Sequence, residues 1–170
     1  MIAQCWSAKR DDYAACITIA RYAGLRLHGV LKIDTAIARK ALKDGFITIK
    51  GKGGKIREVP INESVRIVLE KALKTTLSGY KLFVPRNKQT HIAKAELQNF
   101  IACKRRFVCD KGSSRNLTFH GLRHTFAAEQ YQKFIALGFT ELQAKLNVSK
   151  LLGHEREDVT RIYLASLTHT

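Results

Sequence analysis

The chain has 170 residues, 45% of them hydrophobic, which is enough for one ordinary core and short for two full domains. Its 30 Lys and Arg against 14 Asp and Glu leave a formal charge of +16, more than solubility requires, and this points to a polyanionic partner, nucleic acid before an anionic membrane surface. No apolar run approaches the roughly 18 to 20 residues of a membrane span, and lipidation, basic amphipathic and signal-peptide patterns are missing, so the expectation is a cytoplasmic protein without membrane attachment.

In chain order, Asp11 or Asp12 is positioned to cap a helix that runs to Gly24 and sets Ala15, Ile19 and Tyr22 on one face. Arg26 then falls at or just beyond a helix end. The stretch TAIARKALKDG reads as a second helix closed by Gly45, although its spacing also tolerates an irregular path. In FITIKGKGGKIREVPI the alternation of Phe46, Thr48 and Lys50 with Ile47 and Ile49, then Gly51, Gly53 and Gly54, then Ile56 to Ile61, predicts a β-hairpin with a basic, glycine-rich tip.

After Pro60, an Asn or Ser cap opens a helix with Val65, Val68, Leu69 and Leu73 on its apolar side, running toward Gly79. AKAELQNFIACKRRFV predicts a helix, DKGSSRN a loop, HGLRHTFAAEQYQKFIALG a helix stopped by Gly138, TELQAKLNVSKLLGH a helix capped by Thr140, and REDVTRIYLASL a last short helix. The fold class expected is therefore α+β, mostly helical, with one small antiparallel sheet packed on a helical core. Cys5, Cys16, Cys103 and Cys109 form no CxxC pair and no zinc-ligand spacing with His, so reduced thiols, no disulfide and no metal are expected.

Two local patterns carry the chemistry. In His120-Gly121-Leu122-Arg123, positions i and i+3 share a helix face, so both side chains and the helix N-terminus can address one anion. Alone, such a pair is commonly a satisfied surface contact. The second pattern is Leu151-Leu152-Gly153-His154 with Tyr163 nine residues after the His. A Tyr in an amphipathic helix is ordinarily a half-buried packing residue. His124 is expected to pack or meet solvent.

Taken together, HGLRHTFA and LLGHEREDVTRIY closely resemble the C-terminal signature of the tyrosine recombinases, the phage-integrase family. YAGLRLHGVLKID is similar to the family segment that carries its first catalytic Arg, and KGKGGKIREVPI to the family hairpin with its catalytic Lys. The resemblance covers nearly the whole chain and implies the tyrosine-recombinase catalytic fold. The catalytic set it implies is Arg26, Lys52, His120, Arg123, His154 and the nucleophile Tyr163, with neither metal nor cofactor. One departure is Gly29, where relatives often carry an acid; Asp34 is the residue available to substitute in part.

The basic clusters Arg39-Lys40-Lys43, Lys50-Lys55-Arg57, Lys104-Arg105-Arg106 and Lys111-Arg115 are expected to contact DNA phosphates, which gives affinity without sequence information. The implied activity is site-specific breakage and rejoining of double-stranded DNA in integration or excision of a mobile element, by a homotetramer on DNA and a monomer alone, near the nucleoid of a bacterial or phage-infected cell. Residues 1–170 would be the catalytic domain, with the arm-binding and core-binding domains of relatives outside it and a short tail after Tyr163. The rival functions are a DNA-binding module of this fold that has lost catalysis and a type IB topoisomerase-like enzyme.

Overall fold

The computed structural model describes residues 1–50, 56–109 and 117–153. Helices α1 (Ile2–Ser7), α2 (Asp11–Ala23), α3 (Leu27–Val30) and α4 (Thr35–Asp44) precede a hairpin of β1 (Phe46–Lys50) and β2 (Ile56–Pro60). Helices α5 (Glu63–Thr75), α6 (Thr90–Lys104), α7 (Phe119–Ala136) and α8 (Glu141–Leu152) follow, with a 3-10 turn at Arg105–Phe107. The mostly helical domain with a small antiparallel sheet is the architecture expected from the sequence.

The main core forms around α2, which packs against α1, α5 and α7. Ile19, Leu25, Ile33, Ile47, Val59, Val65, Leu69 and Leu97 are all completely buried in it. A smaller cluster of Phe126, Ala127, Val148 and Leu152 joins α7 to α8. In the hairpin, Ile47 pairs with Val59 and Ile49 with Arg57. Ile47, Ile49 and Val59 face the core, while Lys50 and Ile56 are exposed at the strand ends nearest the segment 51–55.

Several helix ends follow from capping chemistry. The side chains of Asp34 and Asn62 accept from the backbone N–H of Ile37 and Val65, and Thr140 with Gln143 forms a complete capping box on α8. Other expectations need correction. The N-cap of α2 is Arg10; Asp11 and Asp12 lie in the first turn, where acids suit the helix dipole, and Asp12 accepts from Arg10. Tyr22 is exposed although Ile19 on the same predicted face is buried; the buried positions of α2 also include Tyr13, Cys16, Ile17 and Ala20. Helix α5 ends at Thr75 and not at Gly79; the β-branched pair Thr75-Thr76 disfavours another turn. Helix α6 starts at Thr90, earlier than Ala93. The short α1 and α3 were not anticipated. The last helix expected, 156–167, the DKGSSRN loop and the glycine-rich tip lie outside the described residues.

Candidate active site

Gly24 ends α2 in the left-handed conformation at φ 59° and turns the chain so that Arg26 becomes the N-cap of α3, exposed, with its carbonyl accepting from Gly29 and Val30. The ring of Phe126 on α7 lies directly over Gly24: a Cβ there would come within 2.3 Å of it. This contact seats the Arg26 turn against α7. Gly29 stands in α3 with open space where a Cβ would project. Asp34, expected to substitute for an acid there, uses Oδ1 to cap α4.

At the start of α7, Thr118 caps the helix by accepting from Gly121 at 2.9 Å. His120, in the first turn, meets the His124 ring edge-on with centroids 5.0 Å apart. Burial lowers the His120 pKa from its usual value, and the neighbouring His124, Arg123 and Arg26 lower it further. His120 is thus held neutral within a field to which both arginines contribute. Residues almost a hundred positions apart in sequence come together here.

Arg123 is completely buried, which the sequence did not anticipate. Its Nη1 donates to the Gly24 carbonyl and its Nη2 to the Leu152 carbonyl at 2.5 Å. The guanidinium therefore ties the end of α2 and the end of α8 to α7. A second tie is the Arg21–Glu129 pair, which joins α2 to α7. No sequence spacing announces either contact, although Thr118 before the HGLR run was a readable cap.

Of the basic positions expected on DNA, Lys50 is exposed at the end of β1, Lys104 ends α6, and Arg105 and Arg106 lie in the 3-10 turn after it. Lys104 and Arg106 lie over the exposed Phe107 ring. Arg57 is half-buried and donates to the Leu151 and Leu152 carbonyls. Lys52, Lys55, Lys111, Arg115, His154 and Tyr163 lie outside the described residues. Cys5 and Cys16 are buried thiols, and burial raises the Cys5 pKa to about 11. Among the described residues no His, Cys, Asp and Glu cluster could hold a metal, and no helix is long and apolar enough to cross a membrane.

Residues 2–169 match the profile of the phage integrase family. The chain belongs to the phage integrase family. Its similarity to curated members includes the tyrosine recombinase XerC of Pseudomonas aeruginosa, 27% identical over 168 residues, covering 92% of this chain and 47% of that protein. Tyrosine recombinase XerA of Pyrococcus horikoshii is 28% identical over 145 residues, covering 83% of this chain and 46% of the relative. The chain thus spans about half the length of the curated relatives it matches.

Among solved structures, the site-specific recombinase XerH bound to its difH substrate superposes with a TM-score of 0.67 at 26% identity, covering 96% of this chain and 44% of the other. The Tn1549 transposon integrase in complex with circular intermediate DNA gives a TM-score of 0.64 at 17% identity, over 89% of this chain and 54% of that one. This second likeness concerns the fold. The mostly helical fold of this chain is therefore that of these solved recombinase and integrase structures.

Proposed function

We propose that this phage-integrase-family chain is the catalytic domain of a site-specific recombinase that cuts and rejoins double-stranded DNA through a covalent 3′-phosphotyrosine at Tyr163. The reading is supported by the family match over residues 2–169 and by the positive charge that Arg26 and Arg123 bring to bear on His120, with His154 and Tyr163 following in sequence in the order of the family signature. The DNA-bound state of the XerH and Tn1549 relatives agrees with a +16 chain that binds DNA.

In this reading, the Tyr163 phenolic oxygen attacks the scissile phosphorus and the bond from phosphorus to the 5′ oxygen breaks. Arg26, which is exposed, stabilises the charge that collects on the non-bridging oxygens, where a donor of this kind is worth about 3 kcal/mol, and Arg123, buried on the Gly24 and Leu152 carbonyls, adds its positive charge without a direct contact. His120, neutral because its pKa is lowered, takes the phenolic proton. Lys52 protonates the departing 5′ oxygen, and His154 hydrogen-bonds the phosphate. A 5′ hydroxyl from another strand reverses the step, so the bond energy is kept and no energy source is consumed. The site needs no metal for this sequence. The working assembly is a homotetramer on two DNA sites, in integration or excision of a mobile element.

The test is incubation with a pool of nicked duplexes randomised around the nick, followed by a denaturing gel. A protein–DNA adduct that disappears in Tyr163→Phe supports strand transfer. Binding without any adduct, with the flanking segments of the longer relatives supplied, leaves the non-catalytic module as the function.

A further inference from the structure

Arg57 lies on β2 opposite Ile49, and its side chain turns toward α8 and not to solvent. Its Nη1 donates to the Leu151 carbonyl at 3.2 Å and to the Leu152 carbonyl at 2.5 Å. These are last-turn carbonyls of α8, the negative end of the helix dipole, where a guanidinium is favoured twice over. The stem of Arg57 covers Gly153, which ends α8 at φ 66°; a Cβ on Gly153 would come within 2.8 Å of Arg57 Cδ. The Leu152 carbonyl also accepts from Arg123. Strand β2 and helix α7 therefore grip the same backbone oxygen, two residues before His154.

We infer that Arg57 is a positioning residue of the strand-transfer site, not a phosphate contact. It locks the end of α8, and with it the peptide that leads to His154, onto the strand that follows the Lys52 segment. Arg57 thereby couples two proposed catalytic positions that come from distant parts of the sequence, and it braces Arg123 through the carbonyl they share. The inference rests on the recombinase reading for its catalytic consequence and on the observed hydrogen bonds for its structural one.

A phosphate contact and a positioning residue predict different data. Removing a phosphate contact weakens binding to all sequences and lowers the salt slope of affinity by about 1. Removing a positioning residue leaves that slope intact and slows the chemistry, because misplacing a reacting group by an ångström costs about 10²-fold. The experiment compares the full chain with Arg57→Ala and Arg57→Lys in three measurements: duplex affinity against salt, single-turnover cleavage of a nicked duplex at saturating protein, and amide exchange at residues 150–153. Expected for Arg57→Ala are an unchanged salt slope, cleavage slowed about 10- to 100-fold, and faster exchange of the Gly153 amide, which donates to Lys150. Arg57→Lys, still able to donate to a carbonyl, recovers part of both losses. A slope lowered by about 1, with Gly153 exchange as in the wild type, overturns the inference. A wild-type chain that forms no Tyr163-dependent adduct overturns its catalytic half together with the proposed function, and Gly153 exchange then decides the structural half alone.

Discussion

Replacing Gly24 by Ala tests how the Arg26 turn is seated. At φ 59° an L-residue costs about 1 to 2 kcal/mol. The new Cβ would stand 2.3, 2.6 and 2.9 Å from Cδ1, Cε1 and Cγ of Phe126, a buried ring, and such overpacking costs about 1 to 3 kcal/mol. The sum is near 3 kcal/mol, which in a chain of this size lowers the Tm by about 6 to 12 °C. Gly45 is the control: its φ is 83° but a Cβ there meets nothing, so Gly45→Ala shows the conformational cost of about 1 kcal/mol alone. Thermal and urea unfolding of both variants, together with Gly24→Ala/Phe126→Leu, isolate the ring contribution by a double-mutant cycle. Equal destabilisation by Gly24→Ala and Gly45→Ala, or no recovery on trimming Phe126, would refute the proposed seating.

Four further outcomes are expected. Arg123→Lys, which cannot hold both carbonyls with one planar fork, should destabilise the DNA-free protein by about 2 to 3 kcal/mol in urea unfolding; an unchanged midpoint contradicts the bracing role. Because the His120 pKa is lowered in the folded chain, the unfolded chain binds more protons just below pH 6.5. Stability should therefore rise with pH through that window, and His120→Asn should flatten the rise measured between about pH 5 and pH 7. Glu129, whose pKa Arg21 lowers from 4.5, should stabilise the α2–α7 contact above that pH and lose the contribution as pH falls through the lowered value. For so exposed a pair the effect stays under about 1 kcal/mol, and Glu129→Gln, measured by urea titration at both ends of the window, should remove it. Duplex affinity should fall about 10³- to 10⁵-fold between about 50 and 200 mM salt if six to ten phosphates are engaged, and a flat dependence would argue against the DNA interface.

The elements legible in the sequence were those whose ends carry their own chemistry. Helix α8 could be read from its Thr140 capping box and Gly153, and the hairpin from the alternation at Phe46–Lys50. Helices α1 and α3 were not legible, since six and four residues without a side-chain cap leave no periodic signal. Helical spacing puts His120 and Arg123 on one side of α7, but the burial of Arg123 was not legible. One of its partners is the carbonyl of Gly24, 99 positions earlier, and a backbone oxygen has no sequence signature. Arg57 illustrates the same limit: a Lys/Arg cluster suggests phosphate, whereas the acceptors here are the main chain of α8.

The two hydrophobic clusters differ greatly in size, the one between α7 and α8 being built on four buried side chains. Helix α8 can therefore detach from α7 at a lower free energy than global unfolding, while α7 stays packed on α2. Arg123 would then lose its Leu152 acceptor and keep its Gly24 one. Heating should accordingly loosen the end of α8, and with it the Arg57 and Arg123 contacts to its carbonyls, before most helical content is lost, and amide exchange at residues 150–153 across a temperature series would detect it.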